Sequence, residues 1–212
     1  MTNANYGKLI AGLVAAWFVF ALSASALNVF KTDPQAPPLA IGLSVVLPIL
    51  AFVLWFAFSP GFRQFALSLS PRTLTIVQSW RIAGLAFVAL YTFGLLPGFF
   101  ALPAGWGDVA LGVTAPLVAL KLAEPGHRRS FIVWQLLGMT DLVLAVALGT
   151  TARLIDPQGV PTAPVTVLPL SLIPTFGVPL LFILHVICIA QARQWRENAV
   201  PRGYERVAVP AG

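Results

Sequence analysis

Two aspartates interrupt long apolar stretches of this sequence, and each follows a glycine by three residues. Asp108 lies in GWGDVALG (105–112), and Asp141 lies in GMTDLVLA (138–145). A carboxylate placed in hydrocarbon costs roughly 3 kcal/mol even on lenient insertion scales, so such groups usually pair with another polar group or line a polar path. We therefore expect both aspartates to face a polar seam between helices.

Two further ionisable residues lie within apolar stretches and could offset that cost. Arg81 keeps its charge and must find an anion or water, and the two aspartates are the obvious partners. His185 could titrate, relay protons or hydrogen-bond a neighbouring helix. The candidate substrate or proton pathway also includes two glutamines, and its members are Arg81, Asp108, Asp141, His185, Gln78 and Gln135.

The depths of the four ionisable residues predict a rough ladder across the bilayer. At 1.5 Å per residue, Arg81 and His185 lie about 10 Å inside one face. Asp141 lies near the middle of its apolar stretch, and Asp108 enters from the other face. Intramembrane groups of this kind usually face the bundle interior and mark ion or proton paths.

Three of these residues have plainer interpretations. Arg81 could extend to the nearby interface beside Trp80, and Asp108 could cap a helix that begins after LPAGWG. His185 could serve only as a helix-to-helix hydrogen-bond partner. Asp141 is flanked by apolar residues on both sides, which leaves it an interior role, either structural or functional.

Several enzyme and cofactor classes lack their sequence signals. The chain has no G-x-S-x-G elbow, no H-E-x-x-H helix and no phosphate-binding glycine loop. Cys188 is the single cysteine, and His127, the other histidine, lies in the loop EPGHRR, which disfavours a bis-histidine haem. We predict no metal and no cofactor. A lone acid and histidine could still support membrane enzymology, although the missing motifs point away from an enzyme.

The composition predicts an integral membrane protein. Of 212 residues, 58% are apolar and 9% charged, and the mean hydropathy is +0.86. The fold class is therefore an all-α, polytopic transmembrane helix bundle in a single domain, residues 1–197. At about 20 residues per crossing it has about six spans: 9–30, 39–59, 74–97, 104–121, 131–151 and 165–191.

The connections between these spans are short and rich in Pro, Gly and charge, except 95–103, an apolar stretch that could be a tight turn or a re-entrant dip. Basic residues concentrate in alternate connections, which predicts cytoplasmic termini, a location in the inner (plasma) membrane and no nucleic-acid partner. They are Lys8, Arg63, Arg72, Lys121, Arg128, Arg129, Arg193, Arg196, Arg202 and Arg206, against Lys31 and Arg153 on the other side. Residues 198–212 form a short, disordered cytoplasmic tail in this prediction.

Two features allow alternatives to this organisation. The first span also fits a signal peptide cleaved after Ala24-Ser25-Ala26, although the apolar run continues to Phe30 and favours an uncleaved helix. Gly105 and Asp108 recur 33 residues later as Gly138 and Asp141, which could indicate an inverted repeat. In a sequence dominated by a few apolar residue types, the recurrence could also arise by chance.

The sixth span carries prolines five residues apart, at 164, 169, 174 and 179. Each proline removes a backbone hydrogen bond, and broken helices are the best sequence indication of a transporter's binding site. The alternatives are a merely curved helix or one that begins near Pro174. The glycines of the middle spans predict close helix approach.

These observations leave three functional hypotheses. The first is a transporter of a small solute, coupled to protons through the polar seam. The second is a non-catalytic membrane subunit or scaffold with a membrane partner or in a homo-oligomer, whose Arg–Asp pairing fixes helix register. The third is a membrane enzyme acting on a lipid-phase substrate with Asp141 and His185 as acid and base.

Overall fold

The structure is a computed structural model that describes residues 3–33, 36 and 38–195. In these residues all regular structure is helical, and six helices are long and apolar enough to cross a membrane. The predictions of an all-helical chain and of six such helices are confirmed. The α-helices are α1 (Asn3–Ala26), α2 (Leu39–Phe58), α3 (Pro60–Ser68), α4 (Pro71–Val77), α5 (Leu85–Thr92), α6 (Gly98–Lys121), α7 (Arg128–Ile155) and α8 (Val178–Gln194).

A short helix, α3, joins α2 to the third span, which begins with α4, at one end of the bundle. Ser59 accepts a hydrogen bond from the Phe62 amide (3.3 Å) and Ser70 one from the Thr73 amide (3.3 Å), so serine caps begin α3 and α4. A proline follows each cap in the first helical position, where its missing N–H costs nothing. The connection between the second and third predicted spans is therefore mostly helical.

Most basic residues within the described chain gather at this end, which we call the basic end: Lys8, Arg63, Arg72, Lys121, Arg128, Arg129 and Arg193. Tyr6 stacks on Phe65 at 5.8 Å and the Arg128 guanidinium donates to the Ala192 carbonyl at 3.0 Å, which ties the helix ends together. Lys31 and Arg153 lie at the opposite end. Residues 196–212, including Arg196, Arg202, Arg206 and the predicted tail 198–212, lie outside the described residues.

The third span is wound more tightly at its centre. A 3-10 segment, Gln78–Gly84, connects α4 to α5, and α6 packs directly on it. A Cβ at Gly112 would lie 2.6 Å from the Ile82 amide nitrogen, so only glycine permits this approach. The close contact brings side chains from the 3-10 segment into the middle of the bundle.

Two helix boundaries differ from the predicted spans because of local backbone chemistry. The first helix ends at Ala26, since Asn28 adopts a positive φ of 59°, which asparagine tolerates. After α5 a turn includes Gly94 at φ 69°, and α6 begins at Gly98 rather than at 104. The helix continues through Pro103, which lacks one backbone donor. Residues 95–103 are thus a turn followed by the first residues of α6.

The predicted sixth span from 165 was wrong in its start. Ala163–Thr166 form a short 3-10 turn, and a π-helical turn, Ile173–Gly177, precedes α8. Pro179 cannot donate to the Thr175 carbonyl, which instead accepts from the Trp17 indole at 3.2 Å. The alternative of a helix beginning near Pro174 describes this region correctly.

Apolar clusters occupy both ends of the bundle, and a polar layer lies between them. The cluster at the basic end includes Phe62, Phe131 and Trp134, and the cluster at the opposite end includes Phe87 and Phe100. Large apolar side chains also cover the outside, among them Phe20, Leu43, Val113 and Leu137. The buried polar layer is consequently the unusual feature of the interior.

Candidate functional site

The Arg81 guanidinium forms the centre of the buried polar layer. Its side chain is 0% exposed, and its Nε donates to Asp108 Oδ1 at 2.7 Å. Its Nη2 donates to Asp141 Oδ2. One guanidinium therefore joins two carboxylates from different helices, and Arg81 does not extend to the basic end as the plainer interpretation proposed.

Both aspartates lie near the middle of long helices. Asp108 is on α6 and Asp141 on α7, and their side chains are 15% and 14% exposed. Because α6 begins at Gly98, Asp108 lies well beyond its first turn and cannot cap it. The capping interpretation of Asp108 was wrong for this reason.

The remaining arginine nitrogen fixes the state of the histidine. Arg81 Nη1 donates to the Gly138 carbonyl at 3.1 Å and lies 3.3 Å from His185 Nε2. Guanidinium nitrogens only donate, so His185 Nε2 must be the acceptor and the ring proton must sit on Nδ1. His185 is therefore the neutral Nδ1–H tautomer.

A hydrogen-bonded chain continues from His185 toward the basic end. His185 Nδ1 donates to Gln135 Oε1 at 2.5 Å, and Gln135 Nε2 donates to Thr75 Oγ1 at 3.2 Å. The Thr75 hydroxyl in turn donates to the Pro71 carbonyl at 2.8 Å. Each donor atom in this chain has an acceptor, so the orientations of the imidazole and the amide are mutually determined.

Gln78 lies apart from this cluster. Its Nε2 donates to the Leu181 carbonyl at 3.1 Å, and its buried Oε1 has no partner among the described residues. The structure thus brings together five of the six predicted residues, with Gln78 excluded. They form one compact cluster, where the sequence had predicted a ladder across the bilayer.

Glycines make room for the charged side chains. A Cβ at Gly138 would overlap the His185 ring, one at Gly107 would overlap Asp141 Oδ1, and one at Gly84 would overlap the Asp108 side chain. From the sequence alone, the glycines of the middle spans predicted only close helix approach.

The cluster carries unbalanced charge when both carboxylates are ionised. Arg81 contributes one positive charge, His185 is neutral, and the two aspartates contribute two negative charges. Asp108 Oδ2 and Asp141 Oδ1 accept no hydrogen bond from the described residues. One carboxylate can therefore take a proton or a cation without disturbing the Arg81 pair of the other.

A cavity of about 50 Å³ extends from Asp108 toward the opposite end of the bundle. Its walls are mainly apolar, and Phe87, Phe100 and Leu142 contribute to them. A smaller cavity of about 20 Å³ shares Pro38, Gly149 and Thr150 with it, and is lined by polar groups: Thr32, Asp33, Arg153, Thr162 and Thr166. The sequence could not reveal these cavities, because their walls come from distant segments.

Within the described ranges, no three His, Cys, Asp or Glu side chains gather as a metal site would require. Cys188 is buried and lies 3.9 Å from Thr75 Oγ1. The chemistry that the cluster offers is exchange of a proton or a small cation at a carboxylate held by a fixed guanidinium.

Residues 37–193 match the family described as a domain of unknown function, DUF8737. The chain belongs to this family. No curated protein and no solved structure matches the chain. The matched DUF8737 region contains the whole polar cluster and all of α2 to α7, whereas α1 precedes it.

Proposed function

We propose that the chain is a multi-pass protein of the inner (plasma) membrane, with both termini in the cytoplasm. Six long apolar helices and an apolar exterior support insertion into a bilayer. The basic end gathers most of the described lysines and arginines, which by the positive-inside rule is the cytoplasmic end. The opposite end would then face outward.

We further propose that the protein transports a small solute and couples this movement to protons. The observation that carries the proposal is the sharing of one buried guanidinium by two carboxylates, each with an oxygen left unpaired. A structural ion pair needs only one carboxylate, and a second buried one adds desolvation without a second cation. Binding and releasing a proton is a function that would account for the second carboxylate.

The two carboxylates also provide a coupling device. Protonation of one of them weakens its bond to Arg81 and leaves the guanidinium with the other partner. Because Asp108 and Asp141 lie on different helices, this change alters the contact between α6 and α7. Coupling requires a structural element with two arrangements, and both the proton and the solute must change the balance between those arrangements.

His185 acts in this proposal as a positioning residue. Its Nε2 lone pair faces Arg81, and its Nδ1–H is committed to Gln135. It holds the guanidinium in place from the side away from the carboxylates. Because both ring nitrogens of His185 contact other side chains of the protein, they give no support to the enzyme hypothesis, which needs a histidine that faces a substrate.

A second candidate is a non-catalytic subunit in which the cluster fixes helix register. The completed chain from His185 through Gln135 to Thr75 favours it, because fully satisfied networks rigidify a bundle. The unpaired carboxylate oxygens and the cavity beside Asp108 favour transport instead.

Proteoliposomes containing the purified chain and a lumenal pH dye test the transport proposal. A panel of an amino acid, a sugar, a short carboxylate and tetramethylammonium is added under an imposed pH gradient. We expect at least one solute to move protons in proteoliposomes and not in protein-free liposomes. The subunit hypothesis would be favoured if the folded protein moves protons with no solute of a broadened panel. It would also have to co-purify with a membrane partner in a fixed ratio.

A further inference from the structure

The cavity beside Asp108 has one charged group and otherwise apolar walls. Phe87 and Phe100 meet edge to face at 5.5 Å between ring centroids, and Leu142 and Val146 are also among the apolar residues that line the cavity. The Thr150 hydroxyl, which also lines the cavity, already donates to the Val146 carbonyl at 2.8 Å. Asp108 is therefore the anionic end of an apolar chamber.

Water alone is a poor occupant of such a chamber. A buried water needs about 10–15 Å³ of space and two to four polar partners. A volume of about 50 Å³ offers the space, but the walls offer few polar groups beyond the Asp108 carboxylate. An occupant with an apolar body and a single positive group would satisfy both the walls and the carboxylate.

The charge of the cluster favours a cation over a neutral molecule. Asp108 Oδ1 is held by Arg81, while Asp108 Oδ2 has no partner among the described residues. With both carboxylates ionised, the cluster carries one net negative charge. Phe87 and Phe100 supply apolar surface for an alkyl group attached to such a cation.

We propose that this cavity binds a small organic ammonium ion. The ammonium group lies against Asp108 Oδ2, and its short alkyl part lies among Phe87, Phe100 and Leu142. This inference rests on the proposed transport function, because it names the substrate class of that same site. The bound cation supplies the positive charge that a proton supplies when the cavity is empty, so either one balances the net negative charge of the cluster.

The adjoining polar cavity supplies the route to the site. It shares Pro38, Gly149 and Thr150 with the apolar cavity and extends to Asp33 and Thr32. Asp33 and Arg153 both line this cavity, so its polar walls accept a charged solute without selecting the sign of its charge. The ammonium ion therefore arrives from the opposite end of the bundle, which is the outer face in the proposed topology.

Calorimetry on the purified full chain in nanodiscs tests the site directly, with ethylammonium as the probe and ethanol as its neutral counterpart. We expect saturable ethylammonium binding and no saturable ethanol binding. Asp108→Asn, which keeps the shape and removes the charge, should weaken binding at least tenfold. Asp156→Asn is the matched control, because Asp156 ends α7 outside both cavities, and it should bind as the wild type does.

A second variant keeps the test decisive if Asp108→Asn does not fold. Ala145→Phe fills the cavity from α7 while leaving Arg81 and both aspartates in place, and it should abolish binding. Undiminished ethylammonium binding in either folded variant, or equal binding of ethanol, would overturn the proposal. If another solute moves protons but ethylammonium does not bind, the ammonium site is contradicted and the transport function is not. If ethylammonium binds but no solute is transported, the transport function is contradicted and the ammonium site is not.

Discussion

Replacing Arg81 by leucine should be the most destabilising single change in the polar cluster. The substitution leaves two carboxylates, the Gly138 carbonyl and His185 Nε2 without the donor they share. Breaking one partner of a buried ion pair costs about 3–5 kcal/mol. The slight exposure of both aspartates lets them take up protons or water, so we expect the loss in unfolding free energy to lie within that range rather than above it.

A double-mutant cycle identifies the partner. Asp141→Asn in the Arg81→Leu background removes one stranded charge and should recover part of the loss, with a coupling free energy of about 0.5–3 kcal/mol between the two sites. Reversible unfolding in mixed micelles, followed by tryptophan fluorescence, measures it, and Trp134, at 5.9 Å from the His185 ring, lies beside the cluster.

The exposed Arg63 on α3 provides the matched control. Arg63→Leu removes the same group from the surface and should change the unfolding free energy by no more than about 0.5 kcal/mol. Strict additivity of Arg81→Leu and Asp141→Asn, or an Arg81→Leu loss as small as that of Arg63→Leu, would refute the ion-pair reasoning.

Two further predictions concern packing and orientation. Gly138→Ala should destabilise the protein by about 1–3 kcal/mol because its methyl group overlaps the His185 ring, whereas Gly12→Ala, which meets open space, should not destabilise it; equal unfolding midpoints would contradict this. In a Cys188→Ala background, an impermeant thiol reagent applied to intact cells should label Gln158→Cys and spare His127→Cys, and the reverse pattern would invert the proposed topology.

The helices were largely predictable from the sequence because long apolar runs have few alternatives. The boundaries were less predictable, since they depend on single residues: the positive φ of Asn28, and Pro103, which α6 accommodates inside the helix. The start of the sixth span depended on which of four prolines a helix could not tolerate. Helix propensity, which is equally low for all four prolines, does not show at which of them the helix begins.

Five members of the polar cluster were predictable, but its geometry was not; Gln78 lies apart from the cluster, and Thr75 was not predicted. An arginine and two aspartates in apolar sequence must find partners, so their pairing follows from the energetics of buried charge. Their meeting in one cluster depends on the tight winding of Gln78–Gly84 and on where α6 begins, which are tertiary features. The tautomer of His185 and the cavity beside Asp108 likewise require three-dimensional contacts.

The central claim is that the second carboxylate loads a proton for transport, and Asp141→Asn tests it most directly. Asparagine keeps the shape and can still accept from Arg81, but it cannot titrate. Solute accumulation driven by a pH gradient and solute exchange without a gradient are measured in the same proteoliposomes. The account predicts that the variant folds and exchanges solute but loses gradient-driven accumulation. Accumulation with unchanged rate and unchanged pH dependence would contradict it and favour a purely structural cluster.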